Sequence, residues 1–254
     1  MKEEYDSLVK NDVWVLEELP NKTKALEGKW CFTIKRGADG QVLKYKARFV
    51  AKGYRQVYGR DYNETFSPTA KLSTIRMIVA IAAQYDANLH QLDVKTAYLN
   101  APIDEDVYMK QPEGFVVRNE KNPVVPLYCK LKKSLYGLKQ AGRNWYFTLT
   151  DKLLQLGFTK SKHDACLFYK VNGDNFTYAC VWVDDIIICS NDLLGGLNFK
   201  KDMEKWFTIS DFGELNWFLG MKIERESGVV KISTLNNRIV FTCHVLLTLK
   251  LIFF

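Results

Sequence analysis

The residues with the most chemistry to offer are aspartates. Asp184 and Asp185 stand side by side within residues 178–190 (YACVWVDDIIICS), between two runs rich in β-branched and aromatic side chains. Such runs, split by a two-residue polar step, read as a β-hairpin with the acid pair at its turn. Taken alone, the pair reads as a solvated hairpin tip, because aspartate is at home in turns. A second apolar stretch, residues 91–100 (QLDVKTAYLN), carries Asp93. If both ends meet at one sheet edge, three carboxylates converge, and the cluster is unfavourable unless divalent cations neutralise it. Hard oxygen donors of this kind suit Mg²⁺, which keeps waters and substrate phosphates as its remaining ligands.

The chain between these acids has to bring them together. From Asp93 onward the predicted order is strand, helix, strand, strand, helix, strand. That order describes an α+β, ferredoxin-like split βαβ sheet with helices on one face. In it the first strand neighbours the central hairpin, so Asp93 can approach Asp184 and Asp185. The flanking pieces read as a helix over 73–85 and a strand over 88–94. A glycine-punctuated turn at 134–142 opens a helix with Trp145, Leu149, Leu153 and Leu156 at helical spacing, stopped at Gly157. A helix near 197–207 and a strand around 217–224 follow.

Upstream, residues 1–20 read as a short amphipathic helix and a strand. Strands at 30–34 and 42–50 are joined by a turn at 37–40. Alternation in the second strand puts Leu43, Tyr45, Ala47 and Phe49 on one face and Lys44, Lys46 and Arg48 on the other. Three cations in a row fit either an edge strand guarded by lysines or a surface for an anionic ligand. Residues 51–70 read as a loop rich in Gly, Tyr and Arg.

The chain's 47% hydrophobic and 26% charged content fits an ordinary globular protein and excludes a disordered one. Its net charge of +7 is concentrated: residues 41–60 and 121–150 each hold six Lys or Arg and no acid. Two basic blocks around an acidic centre fit a cleft for a polyanion. The six cysteines form no CxxC pair, which removes the usual zinc motifs, and read as small core residues of a reducing, intracellular compartment. The charged start is no signal peptide. The apolar stretch 239–254 carries His244 and Lys250 and falls short of the roughly 20 apolar residues that span a membrane.

Six segments together resemble the reverse transcriptase domain of copia-type long-terminal-repeat retrotransposon polyproteins. They are YKARFVAKGYRQVYGRDYNETFSPTAKLSTIR (45–76), QLDVKTAYLNA (91–101), VYMKQPEGF (107–115), LKKSLYGLKQAGRNWY (131–146), VDDIII (183–188) and FGELNWFLGMKIE (212–224). The resemblance runs from about Asn11 to Ser233. It implies a right-hand polymerase: fingers over 1–88, a palm over 89–233 with a finger insertion around 101–135, and a thumb largely absent. By the same resemblance Asp93, Asp184 and Asp185 hold two Mg²⁺ ions, with Mn²⁺ as a substitute. Lys46 and Arg48 face a deoxynucleoside triphosphate. Tyr98 is the aromatic gate beneath its sugar, or else a packing aromatic. Gly137 to Gln140 lie against the nucleotide and template, with Gly137 letting backbone approach a base. Trp217, Leu219 and Gly220 support the primer end, or simply pack in a core. Implied partners are an RNA or DNA template with primer and deoxynucleotides, with no membrane and no assigned oligomeric state; the implied location is cytoplasmic, within a virus-like particle, or nuclear.

Three departures accompany the resemblance. Trp182 stands where the family usually has Tyr. Gly195 and Gly196 sit where a helix should begin, and are expected to shorten it. Residues 234–254 look unlike the family and read as an aberrant apolar tail that adds little to folding. A relic that binds nucleic acid without turnover is the rival reading. A metal-dependent nuclease would use the same carboxylates but leaves Tyr98 and the basic strands unexplained.

Overall fold

A computed structural model describes residues 1–36, 40–226, 229–234 and 239–244, with side chains described for all of these except 226, 234 and 239–244. In chain order the elements begin with α1 (Lys2–Lys10), β1 (Trp14–Glu18), β2 (Gly28–Arg36), β3 (Val42–Ala51), α2 (Leu72–Gln84) and β4 (Asn88–Val94). They continue with β5 (Tyr108–Met109), β6 (Leu127–Leu131), α3 (Ala141–Gln155), β7 (Thr159–Lys160), β8 (Leu167–Asn172), β9 (Asn175–Trp182) and β10 (Asp185–Ser190). The last are α4 (Leu193–Glu204), β11 (Ile209–Glu214), β12 (Trp217–Phe218), β13 (Met221–Glu226), β14 (Val229–Thr234) and β15 (Ile239–His244). This is a mixed α/β chain of two compact units. One comprises residues 1–67 and 96–149; the other comprises 68–95 and the residues described from 150 onward.

The first unit holds a three-stranded sheet, β1-β6-β5, and the two-stranded β2–β3 ribbon. Pairing of β1 with β6 joins residues more than a hundred positions apart, Trp14 opposite Leu131. Leu8, Met109 and Leu135 are fully buried between these elements, and each such side chain contributes ~1.5–3 kcal/mol. Tyr5 stacks on Phe115 at 4.4 Å, and Trp30 tilts against Phe49 at 5.3 Å. The ribbon keeps the expected alternation, but its apolar face is buried only near its base. Phe49 is 3% exposed, whereas Leu43 and Tyr45 are 71% and 74% exposed. Of the expected turn at 37–40, only Gly40 lies among the described residues.

Glu27 ties the base of the ribbon together. Its carboxylate meets Lys52 at 2.7 Å, Arg55 at 3.0 Å and Lys110 at 3.1 Å. These cations, Lys52 foremost, hold the Glu27 carboxyl down at about 2. A depressed folded-state value means the stabilisation is complete above the ordinary carboxylate range and lost as pH falls toward 2. Thermal melts between pH 5 and 2 should therefore show a steeper loss of stability for the native chain than for Glu27→Gln. Parallel curves would show that the cluster adds nothing.

The second unit is built on a six-stranded antiparallel sheet, β11-β4-β10-β9-β8-β7. Among β4, β9, β10 and β11, taken in chain order, the sheet reads fourth, first, third, second, which is the split βαβ arrangement. Helix α2, upstream of this set, packs on the sheet as α4 does. Every β10 residue from Ile186 to Ser190 is buried. The Cys189 thiol approaches the Ile78 carbonyl of α2, while Ser190 lies beside Gly195 of α4. Neighbouring strand residues point to opposite faces, so α2 covers one face of β10 and α4 the other.

Gly195 and Gly196 lie inside the first turn of α4 and do not shorten it. Asp192 caps that turn, accepting from the Leu194 and Gly195 amides. A Cβ at Gly195 would come within 2.9 Å of Thr177 Oγ1. The glycine thus lets the helix settle closely on β9. Beyond Ser233, β15 pairs along β14 with Val229 opposite His244, completing the sheet β12-β13-β14-β15. Residues 239–244 are therefore part of the fold, against the expectation of a dispensable tail; 245–254 lie outside the described residues. The strand expected over 217–224 is in fact two, broken by a turn at Leu219 and Gly220. Among the described residues no helix is long and apolar enough to cross a membrane.

Candidate active site

Alternation and pairing bring the acids together. β10 runs antiparallel to β4 with Asp185 directly opposite Asp93. The Asp184 carbonyl accepts the Val94 amide at 2.8 Å, extending that pairing into the turn. The hairpin joining β9 to β10 turns on Val183 and Asp184, since Trp182 pairs with Asp185. The acid pair therefore does not occupy the turn together: Asp184 is in it and Asp185 opens the strand. Val183 has φ 57°, at a position where two-residue hairpins favour glycine. A β-branched residue there stores ~1–3 kcal/mol of strain. Such strain persists only where its surroundings over-determine it.

All three aspartates are half-buried. Burial raises the Asp185 carboxyl above the ordinary carboxylate range, and the Asp184 and Asp93 charges push the same way; a hydrogen bond from Gln91 opposes them. Among the described residues no group of three or more His, Cys, Asp or Glu side chains is gathered closely enough to hold an ion by itself. The donor set is the Asp93–Asp185 pair at the ends of two interior strands, with Asp184 in the adjoining turn. That set fits Mg²⁺, whose remaining ligands are water and substrate phosphate oxygens. Four of the cysteines, 129, 166, 180 and 189, are buried and free. Burial pushes the Cys129, Cys166 and Cys189 thiols up to about 12, so they are packing groups without nucleophilic character.

In the first unit Arg48 lies 5.2 Å from the centroid of the Tyr136 ring, and Tyr136 meets Tyr98 edge-on at 5.0 Å. Arg48 and Tyr98 are thus gathered through Tyr136, a residue that sequence pattern does not single out although it precedes Gly137 in the segment LYGLK. Tyr98 is half-buried against the first unit's core and sits on a helical turn, 97–100, entered through Thr96 at φ 51°. Lys46 is half-buried on the Arg48 face of β3.

Gly137 and Gln140, expected against a nucleotide, are both engaged by the protein itself. Gly137 has φ +90°, and a Cβ there would lie 2.2 Å from the Ala51 carbonyl oxygen. The Ala51 amide donates to Tyr136 O at 2.8 Å. The backbone of β3 demands glycine here. Gln140 is 1% exposed. Its Oε1 accepts from Gln56 at 2.9 Å and its Nε2 donates to Asp61 O at 2.8 Å. With its amide engaged and its side chain buried, Gln140 holds loop to loop.

Trp217 and Leu219 are 48% and 41% exposed, so they do not pack in a core. Leu219 (φ 50°) and Gly220 (φ 76°) form a hairpin tip that needs positive φ at both positions. Leucine is a poor choice for the first. Leu219→Asn should relieve ~1 kcal/mol of strain and raise the melting temperature; a chain that melts lower would show that the leucine packs within the fold. The same substitution should weaken extension if the exposed tip bears on a primer.

Comparison with known proteins adds what geometry alone does not carry. The family described as reverse transcriptase (RNA-dependent DNA polymerase) matches residues 11–247, beyond Ser233 and past the end of β15. The chain is 42% identical over 227 residues to the retrovirus-related Pol polyprotein from transposon TNT 1-94 of Nicotiana tabacum, covering 89% of this chain and 17% of that protein. It is 41% identical over 226 residues to the corresponding polyprotein from transposon RE1 of Arabidopsis thaliana, covering 89% and 15%. Against the Gag-Pol polyprotein of transposon Ty1-ER2 of Saccharomyces cerevisiae it is 31% identical over 210 residues, covering 78% and 11%. The chain thus spans less than a fifth of the length of each of these relatives.

Proposed function

Because this chain belongs to the reverse transcriptase family, as a copia-type domain, we propose that it is the RNA-directed DNA polymerase core of a retrotransposon polyprotein, transferring nucleotides to a primer 3′-hydroxyl. The observation that carries the reading is the register that sets Asp93 opposite Asp185, with Asp184 in the strained turn beside them. On this reading the second unit is palm and the first is largely fingers. Asp93 and Asp184 hold two divalent ions, and Asp185 supports them. Bound there, the ions lower the pKa of the primer hydroxyl and stabilise the leaving pyrophosphate. What remains for side chains is positioning and charge neutralisation.

Lys46 and Arg48 offer their cationic strand face to the triphosphate. Tyr98 selects deoxyribose by filling the space a 2′-hydroxyl would need. Trp217, Leu219 and Gly220 steady the primer end. Template binding draws on an exposed surface of the first unit where cations and rings alternate. Lys139 lies 4.9 Å from the Tyr62 ring centroid and Arg143 lies 4.6 Å from that of Phe147. Tyr58 and Phe66 nearby are 71% and 67% exposed. Aromatic faces among cations suit unpaired bases on a phosphate backbone.

Primer extension on poly(rA)/oligo(dT) with Mg²⁺ or Mn²⁺ tests the function: dTTP incorporation is expected, and a folded chain that binds this duplex but adds no nucleotide argues for the relic. Tyr98→Val should raise ribonucleotide insertion relative to deoxynucleotide by about tenfold, one decade being ~1.4 kcal/mol of discrimination. An unchanged ratio in single-nucleotide insertion would leave Tyr98 as a packing residue only.

A further inference from the structure

Gln91 lies on β4 two residues before Asp93, so both side chains leave the same face of the strand. It stands opposite Ile187 of β10 on one side and Gly213 of β11 on the other. β11 shifts register between Asp211 and Gly213, the point at which it passes Gln91. From this position Gln91 Nε2 donates to Asp185 Oδ1 at 3.0 Å. Gln91 and Asp185 are both half-buried.

The residue type suits the task. A lysine at this position would neutralise the acids by itself and compete with a divalent ion. A glutamate would add a further negative charge. An apolar side chain would leave the half-buried Asp185 oxygen without its donor, at the cost of an unmet polar group. A neutral amide satisfies one oxygen and leaves the charge of the cluster unchanged. It also engages one oxygen of Asp185 within the protein.

We propose that Gln91 is a positioning residue that holds the Asp185 carboxylate in place, so that Asp93 and Asp184 act as the divalent-ion ligands while Asp185 stays outside the ligand set. This inference rests on the carboxylate site proposed above. Partners that orient a metal site in this way commonly matter tenfold or more when removed.

The test is a double-mutant cycle read by Mn²⁺ binding, with free ion followed by electron paramagnetic resonance. In the native chain Asp184→Asn should abolish tight Mn²⁺ binding, while Asp185→Asn should change affinity little. Gln91→Met releases the Asp185 carboxylate toward the ion, and in that background Asp185→Asn should cost about tenfold in affinity. Equal effects of Asp185→Asn in both backgrounds would overturn the role of Gln91 and leave the metal site standing. Mn²⁺ binding indifferent to Asp93→Asn and Asp184→Asn would instead overturn the site itself, and the inference with it. Melting curves check that each chain is folded, and Gln91→Leu repeats the cycle should the methionine variant not fold. In primer extension Gln91→Met should lower kcat about tenfold with KM for dNTP unchanged; a purely structural role would show in the melting temperature and not in the cycle.

Discussion

Asp184→Asn is expected to lower primer extension by about a thousandfold or more while leaving the fold intact. Replacing one carboxylate that would hold the ions stabilising the transferring charge removes ~4 kcal/mol, and each 1.36 kcal/mol is a decade in rate. The fold should persist because the structural link at this residue is its backbone: the Asp184 carbonyl takes the Val94 amide whatever the side chain. Removing one of three clustered like charges should also keep the melting temperature at or above that of the native chain. Asp93→Asn should show the same pair of effects. Polymerisation at native rates in both variants would remove the catalytic assignment.

The largest structural effect is expected at Gly137. An alanine there must hold φ +90° and place its Cβ 2.2 Å from the Ala51 carbonyl oxygen and 2.6 Å from Val50 Cγ1. One neighbour is backbone and cannot rotate away. The opposing side is equally tight, for a Cβ at Gly53 would come within 1.9 Å of the Gly137 oxygen. Strain and overlap together should cost ~3 kcal/mol or more, lowering the melting temperature by roughly 6–12 °C. Gly59→Ala is the internal control. It shares a positive φ of 78° but meets nothing within 4 Å, so only backbone strain of ~1–2 kcal/mol applies. Equal melting of the two variants would show that the loop does not press on β3 as described.

The parts of the site legible from sequence were those fixed by local pattern. Apolar runs around Asp184–Asp185 and before Asp93 specify strands, and the alternation of strands and helices specifies which strands are neighbours. From that, Asp93 facing the hairpin follows. What stayed hidden depends on partners distant in sequence. Gln140 reads as a site residue by its motif, and nothing local shows that Gln56 and Asp61 consume its amide. Gly137 reads as a residue that admits a base, while the backbone it admits belongs to β3. Gln91 looks like one polar residue in an amphipathic strand until β10 is laid beside it. The start of α4 at Leu193 was obscured for a related reason: glycine weakens a helix by propensity, and here close packing on Thr177 overrides that cost. The last strand is hard to recognise because residues 239–244 belong, by composition, to an apolar tail, and only pairing with β14 separates them from it.

The acids at the paired ends of β4 and β10 are proposed to bind two divalent ions during nucleotidyl transfer, and on that the whole mechanism depends. The most direct measurement counts Mn²⁺ by electron paramagnetic resonance on the chain assembled with template, a primer lacking its 3′-hydroxyl, and the matched deoxynucleotide. Two tightly bound ions per native chain are expected, with both lost in Asp93→Asn and in Asp184→Asn. An ion count that is the same in the native chain and in both variants would contradict the account.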